Sequence, residues 1–158
     1  MLLMVLHEMQ TFELMGWRME NMENIDDDVR FVVMSWPKLR SLSFSLDQTF
    51  ISLSTLRVIA ENCPELLHLQ IRLDTSTIPP YDTSKSLRHK LEVLEVGRAH
   101  PPAADSITQT MLEYQIQIAQ YLDLIFPYLK PIEVQPKDEI WSAINGLRKL
   151  CQDARQRK

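Results

Sequence analysis

Apolar residues recur along the chain in one short phrase. Trp36-Pro37-Lys38-Leu39 is followed by Leu42 and Phe44, Cys63-Pro64-Glu65-Leu66 by Leu69 and Ile71, and Phe126-Pro127-Tyr128-Leu129 by Ile132 and Val134. Each copy is a large or sulfur-bearing apolar residue, a proline, any residue, then Leu-x-x-apolar-x-apolar. Two further copies lack the proline: Leu91, Leu94 and Val96, and Met9, Phe12 and Leu14. The closing apolar residues alternate with polar ones, the period-2 pattern of a short strand with one buried face. Proline stops any helix before it and drives its predecessor toward an extended conformation. Strands are therefore predicted near 9–15, 39–45, 66–72, 91–97 and 129–135.

Helical periodicity precedes three of these strands. Val29, Val32, Val33 and Trp36 share one face behind Asp26-Asp27-Asp28, three acids that suit the positive end of a helix dipole. A second helix from about Ser52 carries Leu56, Ile59, Ala60 and Cys63. A third, about Ser106 to Phe126, opens on the capping box Ser106-Ile107-Thr108-Gln109 and carries Met111, Gln115, Ile118, Leu122 and Ile125 along one stripe. A last helix, about 138–155, holds Ile140, Ile144, Leu147 and Cys151, and is placed to cap the open end of the core. Asp74 to Ser86, rich in Ser, Thr and Pro, predicts an irregular loop instead of a helix. A second loop is expected over Gly97 to Asp105, which contains Pro101-Pro102.

The phrases are anchored at 9, 39, 66, 91 and 129, at intervals of 30, 27, 25 and 38. Three of the four fall at or near the period of roughly 20–29 residues of leucine-rich repeats. The last must hold an insertion. The fold class expected is α/β: a leucine-rich-repeat solenoid forming a single domain over 1–158, with about five short parallel strands. Helices and loops lie on its convex side and a capping helix ends it. Pro131 cannot donate to a ladder and belongs on an edge strand, here the last.

A chain of 158 residues is ordinary for one domain and buries a core that needs no metal or disulfide staple. With 17 basic and 21 acidic residues its net charge is −4, which argues against nucleic-acid binding by bulk charge. Cys63 and Cys151 are too sparse for a disulfide scaffold and read as free thiols in a reducing compartment. Met1 to Leu6 is apolar, but it has no basic n-region or cleavage site and is too short to span a bilayer. No Asn-x-Ser/Thr acceptor occurs. A soluble monomer in the cytoplasm or nucleus, without membrane contact, is expected.

Catalytic signals are thin. Gly16, Gly97 and Gly146 cannot build a phosphate loop or dinucleotide fingerprint, and no Gly-x-Ser-x-Gly elbow occurs. His7, His68, His89 and His100 have no zinc-binding spacing with cysteine. Asp26-Asp27-Asp28 lacks the glycine and distal glutamate of a calcium loop. No metal, cofactor or catalytic residue is expected. The basic tail Arg155-Gln156-Arg157-Lys158 reads as a solvated terminus, with a nuclear signal as the alternative. The best enzymatic case is Glu95 with Glu133 as the acid/base pair of a hydrolase. Neighbouring side chains on a flat sheet offer no pocket to desolvate one acid.

If the alternating apolar residues point inward, the others form three rows on the concave face. They are Thr11, Ser41, His68, Val93 and Pro131; Glu13, Ser43, Gln70, Glu95 and Glu133; and Met15, Ser45, Arg72, Gly97 and Gln135. Concave solenoid faces bind extended partners. Glu13, Ser43, His68, Gln70, Arg72, Glu95, Glu133 and Gln135 are the candidate partner-binding residues. They form a mildly acidic ledge for a protein or peptide bearing basic residues, the alternative being an ordinary solvated sheet face.

The Cys-Pro-x-Leu phrase after a helix resembles the cysteine-containing repeats of F-box leucine-rich-repeat proteins. Leu73-Asp74-Thr75-Ser76-Thr77-Ile78-Pro79-Pro80 and Lys90-Leu91-Glu92-Val93-Leu94-Glu95-Val96-Gly97-Arg98-Ala99-His100-Pro101 resemble the C-terminal region of F-box-like proteins of mushroom-forming fungi. So do Ile125-Phe126-Pro127-Tyr128-Leu129, Ile132-Glu133-Val134 and Leu150-Cys151-Gln152-Asp153-Ala154-Arg155. The resemblance covers about residues 9 to 158. It implies the substrate-binding repeat region of a ubiquitin-ligase receptor, with a cullin-ligase adaptor as partner where an F-box lies upstream. The chain itself shows no F-box and opens almost inside a repeat strand, so it is expected to be a fragment, an incomplete gene model or a truncated paralogue. A stand-alone repeat scaffold is the alternative.

Overall fold

Each proline-bearing phrase makes the same turn. In the computed structural model, which describes residues 8–15, 24–45, 49–82, 86–100, 111–134 and 139–157, Trp36, Cys63 and Phe126 each end a helix. Their N–H groups donate to Val32 O, Ile59 O and Leu122 O at 3.1, 2.9 and 2.8 Å. Proline follows as the first central residue of a β-turn, where its fixed φ fits. The turn closes as Leu39, Leu66 and Leu129 donate to Trp36 O, Cys63 O and Phe126 O at 3.2, 3.1 and 3.2 Å. The leucines, all buried, then pin the start of the next strand to the core.

The strands are β1 (Thr11–Met15), β2 (Ser41–Ser45), β3 (Ile51–Ser52), β4 (His68–Asp74), β5 (Val93–His100) and β6 (Glu133–Val134). They form one sheet in the order β1-β2-β4-β5-β6, with every pairing parallel. Strands therefore add along the sheet in chain order. The helices are α1 (Ile25–Ser35), α2 (Leu53–Asn62), α3 (Met111–Ile125) and α4 (Glu139–Gln156). One residue after three of the anchors, a carbonyl receives two N–H groups from the following segment; after the fourth, Glu92 O receives only Lys130, because Pro131 has no N–H. Gln10 O takes Arg40 and Ser41, Arg40 O takes Leu67 and His68, and Leu67 O takes Glu92 and Val93.

The apolar alternation is borne out as burial. Leu42, Phe44, Leu69, Ile71, Leu73, Leu94, Val96 and Ile132 join Val29, Val33, Leu56, Ile59, Ile118, Leu122, Trp141 and Ile144 in one core between the sheet and the helices. Tyrosines of α3 tie the layers together: Tyr121 donates to Leu53 O at 2.9 Å, and Tyr114 to Thr75 O at 3.2 Å. The acidic start of α1 does more than face a dipole, because Asp26 Oδ1 accepts the N–H of Ser52 at 3.0 Å and joins two successive helix starts.

Several expectations are corrected. Gly97 to His100, expected in a loop, continues β5. A bulge between Ile71 and Leu73 lets Leu73 and Asp74 pair with Ala99 and His100. The short β3, which no periodicity signalled, pairs with the same end of β4. The last strand is only two residues long, and Pro131 lies just before it. Met111 is exposed, and Tyr114 one turn on takes the inward place. Residues 75–82 form no helix or strand, as the Ser/Thr/Pro content predicts, although Asp74 still belongs to β4; residues 86–92 are also irregular, so β5 starts at Val93 and not at Leu91. Met1 to Leu6, Gly16, the Ser106–Gln109 capping box, Pro101-Pro102 and Lys158 lie outside the described residues.

The last helix covers the sheet edge by polar chemistry as well as packing. Asn145 accepts the N–H of Ile132 at 2.8 Å and donates to its carbonyl at 3.0 Å, as a neighbouring strand would. Arg148 donates to Leu129 O at 2.9 Å and Lys130 O at 3.3 Å. Gln152 donates to Pro127 O and Leu129 O at 3.2 and 3.1 Å. These contacts occupy backbone groups at Pro127, Leu129, Lys130 and Ile132 that would otherwise be open to another chain.

Both cysteines are free thiols. Cys63 is buried, donates to Val33 O and Trp36 O at 3.6 Å, and burial pushes its pKa up to about 12. Little thiolate forms at pH 8, and the thiolate is the reactive species. Native protein treated with a maleimide at pH 8 should leave Cys63 unlabelled, while urea-unfolded protein should label fully. Rapid native labelling of Cys63 by peptide mass analysis would contradict this packing.

Candidate binding face

The sheet face opposite the core carries the expected rows. Thr11, Ser41, His68 and Val93 are in register, as are Glu13, Ser43, Gln70, Glu95 and Glu133 from one edge of the sheet to the other. Period-2 alternation and the buried leucines fix this register, because a one-residue slip would turn the whole apolar set outward. In the third row Met15 pairs with Ser45. The bulge in β4 and β5 breaks the row at Arg72, whose Cγ lies 3.7 Å from where a Cβ on Gly97 would stand. Pro131 does not extend the first row as a strand residue, and Gln135 lies outside the described residues.

The face is partly self-satisfied. The Ser43 hydroxyl, itself buried, donates to Gln70 Oε1 at 2.7 Å between neighbouring strands. His68 Nε2 lies 2.9 Å from Glu95 Oε1, a diagonal contact from the first row to the second. Arg72 is half-buried, whereas Glu13 and Glu133 are exposed. The middle of the row is thus low and hydrogen-bonded, and its carboxylates stand toward the two ends. Glu95 and Glu133 are opposite each other in register, and the exposure of Glu133 gives that acid no dry environment.

Exposed ion pairs line the strand starts instead: Lys38 with Glu8 at 2.6 Å, Arg40 with Glu65 at 3.6 Å and Lys130 with Glu92 at 2.9 Å. Each joins successive turns of the repeat, and each contributes little in water. A cavity of about 510 Å³ lies between the Phe126–Leu129 turn and the end of α4, lined by Tyr128, Lys130, Gln152 and Arg155 among others. None of the expected face residues lines it. Among the described residues no His, Cys, Asp and Glu cluster could hold a metal ion, and no helix is long and apolar enough to cross a membrane.

Sequence spacing gave no role to His89, and the structure gives it one. Its ring is buried, with Nε2 2.7 Å from Cys63 O and Nδ1 accepting the Leu91 N–H at 3.0 Å. This copy of the phrase has no proline turn, and the imidazole replaces the carbonyl that receives the leucine N–H in the other copies. The two partners require the neutral ring protonated at Nε2. Burial lowers the pKa of His89, against a smaller upward pull from the Cys63 carbonyl. Phe126 meets the ring edge-on at 5.4 Å. The missing proline was the legible signal that something else must close this turn.

An α/β chain with one parallel sheet, four helices among its described residues, and one sheet face left polar is the class of protein defined here. No family model matches the chain, and no curated protein or solved structure is significantly similar to it.

Proposed function

We propose that the chain is a leucine-rich-repeat solenoid that recognises a protein partner on its polar sheet face, as the substrate-binding repeat region of an F-box-type ubiquitin-ligase receptor. The observation that carries the recognition reading is the in-register row Glu13, Ser43, Gln70, Glu95 and Glu133, displayed on strands that add in chain order. A repeat array displays the same position of each turn along one line, which suits it to extended partners. The thrice-repeated Pro-x-Leu turn supports the leucine-rich-repeat reading. The ligase role rests on the resemblance of the Cys63–Leu66 phrase and the C-terminal segments to F-box-like proteins.

Purification of the gene's full-length product from cells tests both parts. A ligase receptor should bring down a cullin adaptor, and recovery of partners without it would make the protein a stand-alone scaffold. Glu95→Lys combined with Glu133→Lys should lose most of the specific partner while shifting the unfolding midpoint only slightly, because Glu133 is exposed and the half-buried Glu95 gives up a single partly solvated contact to His68. Unchanged partner recovery by this double variant would remove the face from consideration.

A further inference from the structure

The carboxylates on the polar face have a measurable spacing. Adjacent strands lie about 4.8 Å apart. Glu95 and Glu133 are one strand step apart, and Glu13 is three steps from Glu95 through Ser43 and Gln70. Three steps make about 14 Å. An extended peptide rises about 3.4 Å per residue and alternates sides, so its residues i and i+4 stand on one side about 14 Å apart. Residues i and i+4 of a helix stand only about 6 Å apart and could not reach both acids.

We propose that this face takes an extended peptide running across the strands, with two lysine or arginine side chains four residues apart. The inference rests on the recognition role proposed for the same face. One basic side chain meets Glu13, and the other sits between Glu95 and Glu133. His68 holds one oxygen of Glu95, which orients that carboxylate. At mid-span the Ser43 hydroxyl occupies Gln70 Oε1, so Gln70 Nε2 is the donor left for a peptide carbonyl. Ser41 and Ser43 are short, which lets a backbone approach β2 closely. The net charge of −4 adds a general attraction for a cationic ligand.

The test is fluorescence anisotropy at low salt, with the whole chain and labelled Gly/Ser peptides carrying two lysines. Three, one or seven residues separate the lysines, at constant charge. The three-residue spacing should bind three- to tenfold more tightly than the others. Glu13→Gln and Glu133→Gln should each abolish that preference. Equal affinity at every spacing would mean diffuse charge attraction and would overturn the proposal, as would absence of binding. If spacing has no effect while Glu95→Lys with Glu133→Lys still loses the cellular partner, this inference fails and the recognition face stands. If partner recovery is also unaffected, both fail.

Discussion

Arg148→Met should lower the unfolding free energy by about 2 kcal/mol, among the larger effects of a single substitution in this chain. The side chain is 2% exposed, so little solvent screens it. Burial lowers its pKa to about 10, the nearby Asp123 opposes that fall, and the guanidinium keeps its charge at neutral pH. Its Nη1 and Nη2 serve Leu129 O, Lys130 O and Asn145 Oδ1, while its Nε has no hydrogen-bond partner among the described residues. Methionine fills similar space but takes the Arg148 donor from Lys130 O and one of two donors from Leu129 O and Asn145 Oδ1, which Gln152 and the Ile132 N–H also serve. Urea denaturation measures the difference. Leu150→Ala on the exposed side of the same helix should change little. A loss below about 1 kcal/mol for Arg148→Met would mean that α4 covers the edge by packing alone.

The second large effect belongs to His89. His89→Leu should cost about 1–3 kcal/mol at pH 7.5, since it strands the Leu91 N–H inside the core and takes from Cys63 O one of its two donors, leaving the Leu66 N–H. The wild-type site should also titrate. The folded protein holds the imidazole neutral with its pKa below the ordinary 6.5, whereas the unfolded chain takes up the proton at its ordinary value. The unfolded state therefore binds more protons below 6.5. The stabilisation is complete above that pH and is lost as pH falls toward the folded pKa. One proton sets the slope in that window, at most about 1.4 kcal/mol per pH unit. Urea midpoints of wild type and His89→Leu between pH 7.5 and 5 separate this term from the other titrating groups. Parallel curves would exclude His89 as its source.

Much of the architecture was legible before any coordinates. Alternation in the five phrases placed β1, β2, β4, β5 and β6 to within a few residues and assigned their buried face, because side chains on a strand have period two, but gave no sign of β3. The Trp-Pro, Cys-Pro and Phe-Pro steps marked helix ends, because proline cannot extend the helix and restrains the residue before it. The register of Glu13, Ser43, Gln70, Glu95 and Glu133 followed from matching anchors alone. What they bind did not follow, since a solvated sheet face and a recognition face share one local pattern.

By itself the sequence determined where strands begin, which residues they bury and which row they display, since these depend on local periodicity and turn chemistry. Tertiary structure alone decided the rest. Whether β5 stops at Gly97 or runs on to His100 depended on β4 being long enough to pair with it beyond a bulge. That His89 would stand in for a turn carbonyl depended on Cys63 O arriving from the previous repeat. That Arg148 would be buried depended on the carbonyls of a sheet edge that only the folded chain brings beneath it.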